Sequence, residues 1–158
     1  RTPIIQKQYS SIKRFMEIKV IPHYSKDYWK CVKLRDKILR EPINLMFSEE
    51  ELFLENDQTH VGVFENEKAI GCFSLVPVSK KEIKMRQVCV DSDQQQKGIG
   101  SKMMNYCVDW AKKNGYQEIS CHARESAVKY YEKYGYTKEG KLFREVSLPH
   151  LKMKKSLV

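Results

Sequence analysis

The 158-residue sequence contains no apolar run approaching 18 residues, no cysteine pair at zinc-site spacing and no internal repeat. Its first fifteen residues lack the apolar stretch of a secretion signal. A membrane span, a structural zinc module and a repeat array are therefore not expected, and the expected address is cytoplasmic. Disulfides are not expected either. The five cysteines, Cys31, Cys72, Cys89, Cys107 and Cys121, are odd in number and mostly set among apolar residues, as small buried thiols are. Glycine is sparse, seven in all, so two within three residues, Gly98 and Gly100, stand out.

What the chain has in excess is positive charge, 29 Lys+Arg against 20 Asp+Glu, a formal net +9. The lysines are scattered (Lys80-Lys81, Lys112-Lys113, Lys152 to Lys155) and are not interleaved with aromatics, so they read as a solvated surface and nucleic acid is not an expected partner. The length suits one domain able to bury a core without staples. The expected organisation is an N-terminal extension over 1–15 and one domain over 16–158.

Periodicity supplies the elements. Alternation from Met16 to Ile21 predicts a strand. Ser25 predicts the cap of a helix running through Trp29, Val32, Leu34, Ile38 and Leu39 to Pro42. Ser48 to Glu51 is a capping-box sequence for a short second helix. Strands are predicted over 60–64 and 69–78, joined by a turn at 65–68, then over 82–90. Ile99, Met103, Cys107, Trp110 and Ala111 recur at helical spacing, and Asn114-Gly115 predicts that helix's end. A strand through Tyr116, Ile119 and Cys121 follows, then a helix over Ala127 to Tyr134. Next comes a strand from Gly135 that Gly140 breaks, and a last extended segment over 143–153 around Pro149. These types alone indicate α+β or α/β.

Gln95-Gln96-Lys97-Gly98-Ile99-Gly100-Ser101 thus joins a strand to a helix. Glycines bare the backbone there, the first N–H groups of a helix lack internal partners, and the helix start carries about half a positive charge, so a pyrophosphate fits. A dinucleotide fingerprint would need a third glycine where Met103 stands, and a P-loop would need Gly-Lys-Ser/Thr.

The stretch resembles motif A of the GNAT acyl-CoA N-acetyltransferases, Gln/Arg-x-x-Gly-x-Gly/Ala, with Gln95, Gly98 and Gly100 in place. Ala127-Val128-Lys129-Tyr130-Tyr131-Glu132-Lys133-Tyr134-Gly135-Tyr136 resembles motif B of the same superfamily, Ala-x-x-Phe-Tyr-x-x-x-Gly-Phe. The resemblance implies the GNAT fold, a mixed, mostly antiparallel central sheet flanked by helices. It also implies transfer of an acetyl group from acetyl-CoA, the co-substrate, to an amine by direct attack, with no metal. Pantetheine would lie on the backbone of Val88, Cys89 and Val90, and the pyrophosphate on Gln95, Gln96, Lys97, Gly98, Ile99, Gly100 and Ser101. Lys97, Lys102 and Lys133 would supply counter-charge. Arg124 stands where many members carry an asparagine that contacts the coenzyme, and it could instead bond a phosphate or an acidic acceptor. The ending Pro149-His150-Leu151-Lys152-Met153 resembles the Pro-His-x-x-Met of one bacterial branch of GNAT proteins.

By its place in motif B, Tyr131 is the expected general acid for the departing thiolate. Helical spacing alone also fits a core aromatic. An alkylamine of pKa about 10.4 costs about 4 kcal/mol to deprotonate at pH 7.4, so a proton acceptor is expected, with Glu145, His150 and His122 as alternative candidates. The acceptor is left open between a small-molecule amine and a protein or peptide amine, and a homodimer is compatible with the sequence. The alternative function is a non-catalytic acyl-CoA-binding sensor or scaffold.

Overall fold

In the computed structural model, residues 15–95 and 97–158 are described, so most of the expected N-terminal extension lies outside them. The strands are β1 (Met16–Ile21), β2 (Thr59–Glu65), β3 (Lys68–Pro77), β4 (Glu82–Val90), β5 (Glu118–Arg124), β6 (Thr137–Glu145) and β7 (Leu148–Ser156). The helices are α1 (Lys26–Arg35), α2 (Glu49–Phe53), α3 (Ile99–Lys113) and α4 (Val128–Lys133). The strands form one sheet in the order β1-β2-β3-β4-β5-β7-β6. Every pairing is antiparallel except β4 with β5. This is the expected mixed α/β architecture with flanking helices. No helix among the described residues is long and apolar enough to cross a membrane.

Local chemistry sets the boundaries. Ser25 caps α1 by accepting from the Tyr28 N–H at 3.1 Å, and Ser48 with Glu51 forms the reciprocal capping box of α2. Asn66 and Glu67, both at positive φ, make the two-residue β2–β3 turn, and Gly115 at φ 83 ends α3. Beyond Arg35, α1 continues through a π turn, Asp36–Arg40, and a 3₁₀ turn, Glu41–Ile43, that contains Pro42. Trp29, expected inside, is 46% exposed: the buried stripe of α1 is Tyr28, Cys31, Val32 and Arg35, and Trp29 falls off it.

The chain's end differs from the sequence expectation. Gly140 does not break the strand. It sits at φ 80 in a bulge of β6, whose register against β7 shifts between Glu139 and Phe143. The break comes at Val146-Ser147, both at positive φ, which form a two-residue hairpin turn between Glu145 and Leu148. Valine strongly disfavours this conformation, so no turn signal marks the position in the sequence.

Two cores flank the sheet. Against one face, α3 and α4 bury Ile99, Met103, Cys107, Ala111 and Val128 on Val61, Ile70, Leu75, Ile83, Met85 and Ile119. Each large side chain so buried contributes roughly 1.5–3 kcal/mol. Against the other face, α1 and α2 cover β2, β3 and β4 with Tyr28, Cys31, Val32, Leu34 and Leu52. Among the described residues no helix lies in that core over β5, β7 and β6, and the cleft described next opens beside this gap.

Candidate functional site

The geometry begins with a fork in the sheet. β4 and β5 pair only from Glu82 to Met85 with Glu118 to Cys121, although β4 runs on to Val90 and β5 to Arg124. A bulge at Gln87-Val88, which together oppose Phe73, turns β4 at this point, with Gln87 at φ 54. The β5-facing backbone groups of the Gln87 to Val90 stretch are left without a strand partner, as a polar ligand threading the fork would require.

Past Val90 the chain makes a 3₁₀ turn, Ser92–Gln94, and enters α3 through Gly98. Gln95 steadies the loop by donating its side-chain amide to the Val90 carbonyl at 3.1 Å. Gly98 is in the left-handed conformation, φ 82, with open space where a side chain would stand. No side chain caps α3 and its first turn holds no acid, so its N–H groups keep their anion-binding capacity. Gln96 lies outside the described residues. Gly100 serves a different purpose from Gly98. A Cβ there would stand 2.5 Å from the Tyr130 hydroxyl, so the second glycine admits a tyrosine of α4. The Ser101 hydroxyl is bonded to that of Tyr134 at 2.8 Å, which ties the loop to α4 a second time. Of the expected counter-charges, Lys97 is exposed, Lys102 reaches the Met16 sulfur at 3.3 Å, and Lys133 lies over the Tyr134 ring.

A cleft of about 340 Å³ opens at the fork. Lys84, Arg86, His122 and Arg124 line its floor, Leu39, Arg40 and Glu51 one wall, and Glu145, Val146 and His150 the other. Tyr131 and Ala127 of the α4 region also line it. Three residues that the sequence leaves as alternatives meet here. The His122 Nδ1 stands 3.0 Å from Glu145 Oε1, and His150 Nε2 is 3.7 Å from the other carboxylate oxygen. His150 Nδ1 is 2.9 Å from the Leu148 carbonyl, and the Phe143 ring contacts both imidazoles, edge-on to His122 and stacked on His150. Lys84 Nζ is 3.2 Å from the same His122 nitrogen.

Burial alone would raise the Glu145 carboxyl, but the His122 hydrogen bond and the charges of His122, His150 and Lys84 bring it below the ordinary value. Burial, reinforced by Arg86, pulls Lys84 down. Tyr131 is 7% exposed, and burial holds its phenol well above the usual value, so it stays protonated at neutral pH. The Cys89 side chain points the opposite way from the α3 core, into the α1 core, with its sulfur 3.5 Å from that of Cys72. Among the described residues no group of His, Cys, Asp and Glu is arranged to hold a metal.

The acetyltransferase (GNAT) domain model matches residues 36–157. The chain belongs to the GNAT acetyltransferase family. YjcF of Bacillus subtilis (strain 168), described as an uncharacterized N-acetyltransferase, is 28% identical over 123 residues, which are 77% of this chain and 87% of that protein. An acyl-CoA N-acyltransferase from Pseudomonas aeruginosa superposes with a TM-score of 0.75 at 14% identity, covering 91% of this chain and 100% of the other. An aminoglycoside 6′-N-acetyltransferase complexed with coenzyme A gives 0.75 at 16% identity, with 90% and 97% covered. As a GNAT protein this one is an N-acetyltransferase. Lys84, Arg86, Arg40 and Glu51 are cleft residues that sequence reasoning did not single out. The available signal was Glu82, Lys84 and Arg86 alternating with apolar residues, which marks one polar face of a strand.

Proposed function

We propose that the protein moves an acetyl group from acetyl-CoA to an amine by direct attack of the amine on the thioester. The observation that carries this reading is that a buried, protonated tyrosine and a carboxylate–histidine cluster line one cleft where β4 and β5 part. The coenzyme A complex of the aminoglycoside acetyltransferase, which shares the fold, supports it. The pyrophosphate lies on the N–H groups of Ile99, Gly100 and Ser101, with Gly98 leaving room. Pantetheine runs along the unpaired edge of Val88, Cys89 and Val90.

The incoming ammonium gives one proton to His122, whose ring Glu145 holds through Nδ1, directly or through a water. The amine lone pair then adds to the carbonyl carbon and the C–S bond breaks. Tyr131 protonates the departing sulfur and is reprotonated from the nitrogen's second proton, so one proton ends on coenzyme A and one in solvent. The contribution from Tyr131 is modest, since a thiol of pKa about 8.5 is already a fair leaving group. The test is release of free thiol from acetyl-CoA against a panel of amines, with the product identified by mass. Thiol release that needs the amine and yields an acetylated product is expected. Thiol release without any amine would leave only hydrolysis and overturn the reading.

A further inference from the structure

The cleft carries more positive charge than its own carboxylates answer. Glu51 is committed to Arg40, with contacts of 2.8 and 3.4 Å, and Glu145 to His122. Neither Arg86 nor Arg124 has a carboxylate within ion-pair distance among the described residues. Arg124 is half-buried, and among the described residues its side chain's one hydrogen bond is to the neutral Leu39 carbonyl at 2.6 Å, beside the like charge of Arg40. Burial and Arg40 both press its guanidinium toward losing its proton, and an anion beside it would offset both.

Resting on the acetyl-transfer reading, we propose that the acceptor is a small amine that itself carries an anionic group, a carboxylate or a phosphate, which Arg86 and Arg124 receive while the amine faces His122. The coenzyme does not meet this need. Its charges are in its phosphates, and none of the described loop residues, 95 and 97–101, lines the cleft, while the pantetheine and thioester that enter it are neutral. Size agrees, because about 340 Å³ shared with a thioester leaves room for a compact acceptor. A polycationic acceptor would meet Lys84, Arg86 and Arg124 at close quarters and be repelled.

The test pairs acceptors that differ only in the anion: an α-amino acid against its carboxamide, and an aminoalkyl phosphate against the parent amino alcohol. Thiol release is measured on wild type and Arg86→Gln. A second readout is the rise in melting temperature that each amine gives in the presence of coenzyme A, which reports binding without turnover. Within at least one pair, the anionic member should have the higher kcat/KM by roughly 10- to 100-fold, mostly through KM, the scale of one charge-assisted hydrogen bond. Arg86→Gln should narrow that gap while keeping the melting shift given by acetyl-CoA alone. Whichever pair shows the gap identifies the anion. Equal use of both members in both pairs overturns the proposal and leaves acetyl transfer intact. Loss of the acetyl-CoA shift in Arg86→Gln with the gap unchanged also overturns it, by assigning the arginine to the coenzyme. If no amine supports thiol release, acetyl transfer falls, and the melting shifts alone decide: a preference for anionic members upholds the charge complementarity, and its absence ends it.

Discussion

One face of the sheet is treated in two ways. Over β2, β3 and the outer end of β4 it lies under α1 and α2, and its side chains are Phe64, Ala69, Cys72 and Cys89. Over the inner part of β4 and across β5 and β7 no helix among the described residues covers it, and the residues facing the same way are Lys84, Arg86, His122, Arg124, His150, Lys152 and Lys154. Charge enters the covered half as the Arg35–Glu55 pair, both partners under 4% exposed, with Tyr28 donating to Glu55 at 2.8 Å. In the open half it forms a ladder, in which Lys154 reaches Glu82, Glu118 and Glu139 and the Ser120 hydroxyl bonds Glu82. The Arg124 bond to Leu39 stands at the border. A buried pair has no water to replace a lost partner, whereas the open ladder does, so substitutions in the covered half should read out in stability and those in the open half in rate.

The largest effect tests the covered half. Glu55→Gln leaves the buried Arg35 without its counter-charge and should cost about 3–5 kcal/mol in urea unfolding. The Glu55 carboxyl sits below its ordinary value: burial raises it, but the Arg35 hydrogen bonds and charge outweigh that. A depressed carboxyl stabilises above its unfolded pKa of about 4.3 and loses that contribution as pH falls through the folded value, so the variant should show a shallower acid slope than wild type. A loss under about 1 kcal/mol would show that water reaches the pair and would erase the contrast between the halves.

Two substitutions probe the cleft. Tyr131→Phe keeps the ring among Tyr130 and Tyr136 and deletes only the hydroxyl. Single-turnover acetyl transfer should fall roughly 10- to 100-fold, with the acetyl-CoA melting shift near wild type. Equal single-turnover rates would remove Tyr131 from the proton-donor role. Glu145→Gln should lower kcat/KM by about tenfold while changing unfolding free energy by less than about 1 kcal/mol, because its side chain is 45% exposed and water can replace the lost ion pair. If it instead destabilised the fold and spared the rate, the cluster would be a structural tie between β5, β6 and β7.

How much of this the sequence disclosed follows from how each part is built. The loop proposed to hold pyrophosphate is contiguous, so Gln95, Gly98 and Gly100 carry its signature within six positions. The cluster of His122, Glu145 and His150 draws on three strands, and their convergence depends on β7 lying between β5 and β6, an order that no local pattern states. The hairpin that sets Glu145 beside His122 turns at Val146, a residue that advertises a strand. Strands 60–64, 69–78 and 82–90 were readable within a residue or so because alternation and turn residues agree there. Gly100 was readable as a glycine but not in its purpose, since Tyr130 meets it from 30 residues away.

The smallest expected effect separates the two glycines of that loop. Gly98→Ala adds a methyl in open space, so its structural cost is the left-handed backbone, about 1–2 kcal/mol, while the methyl enters the region assigned to pyrophosphate. Gly100→Ala places a methyl 2.5 Å from the Tyr130 hydroxyl, whereas the next ring atom is 3.4 Å away, so the clash is with one oxygen. Tyr130→Phe removes that oxygen. The double variant Gly100→Ala/Tyr130→Phe should therefore regain most of the stability that Gly100→Ala loses, and Gly98→Ala should gain nothing from the same second change. Thermal melts with and without acetyl-CoA read both quantities. The ligand-induced rise should shrink in Gly98→Ala even though the protein stays folded, and should return in the double variant. An undiminished rise in Gly98→Ala would move the pyrophosphate away from the start of α3, leaving Gly98 with a purely conformational reason to be glycine.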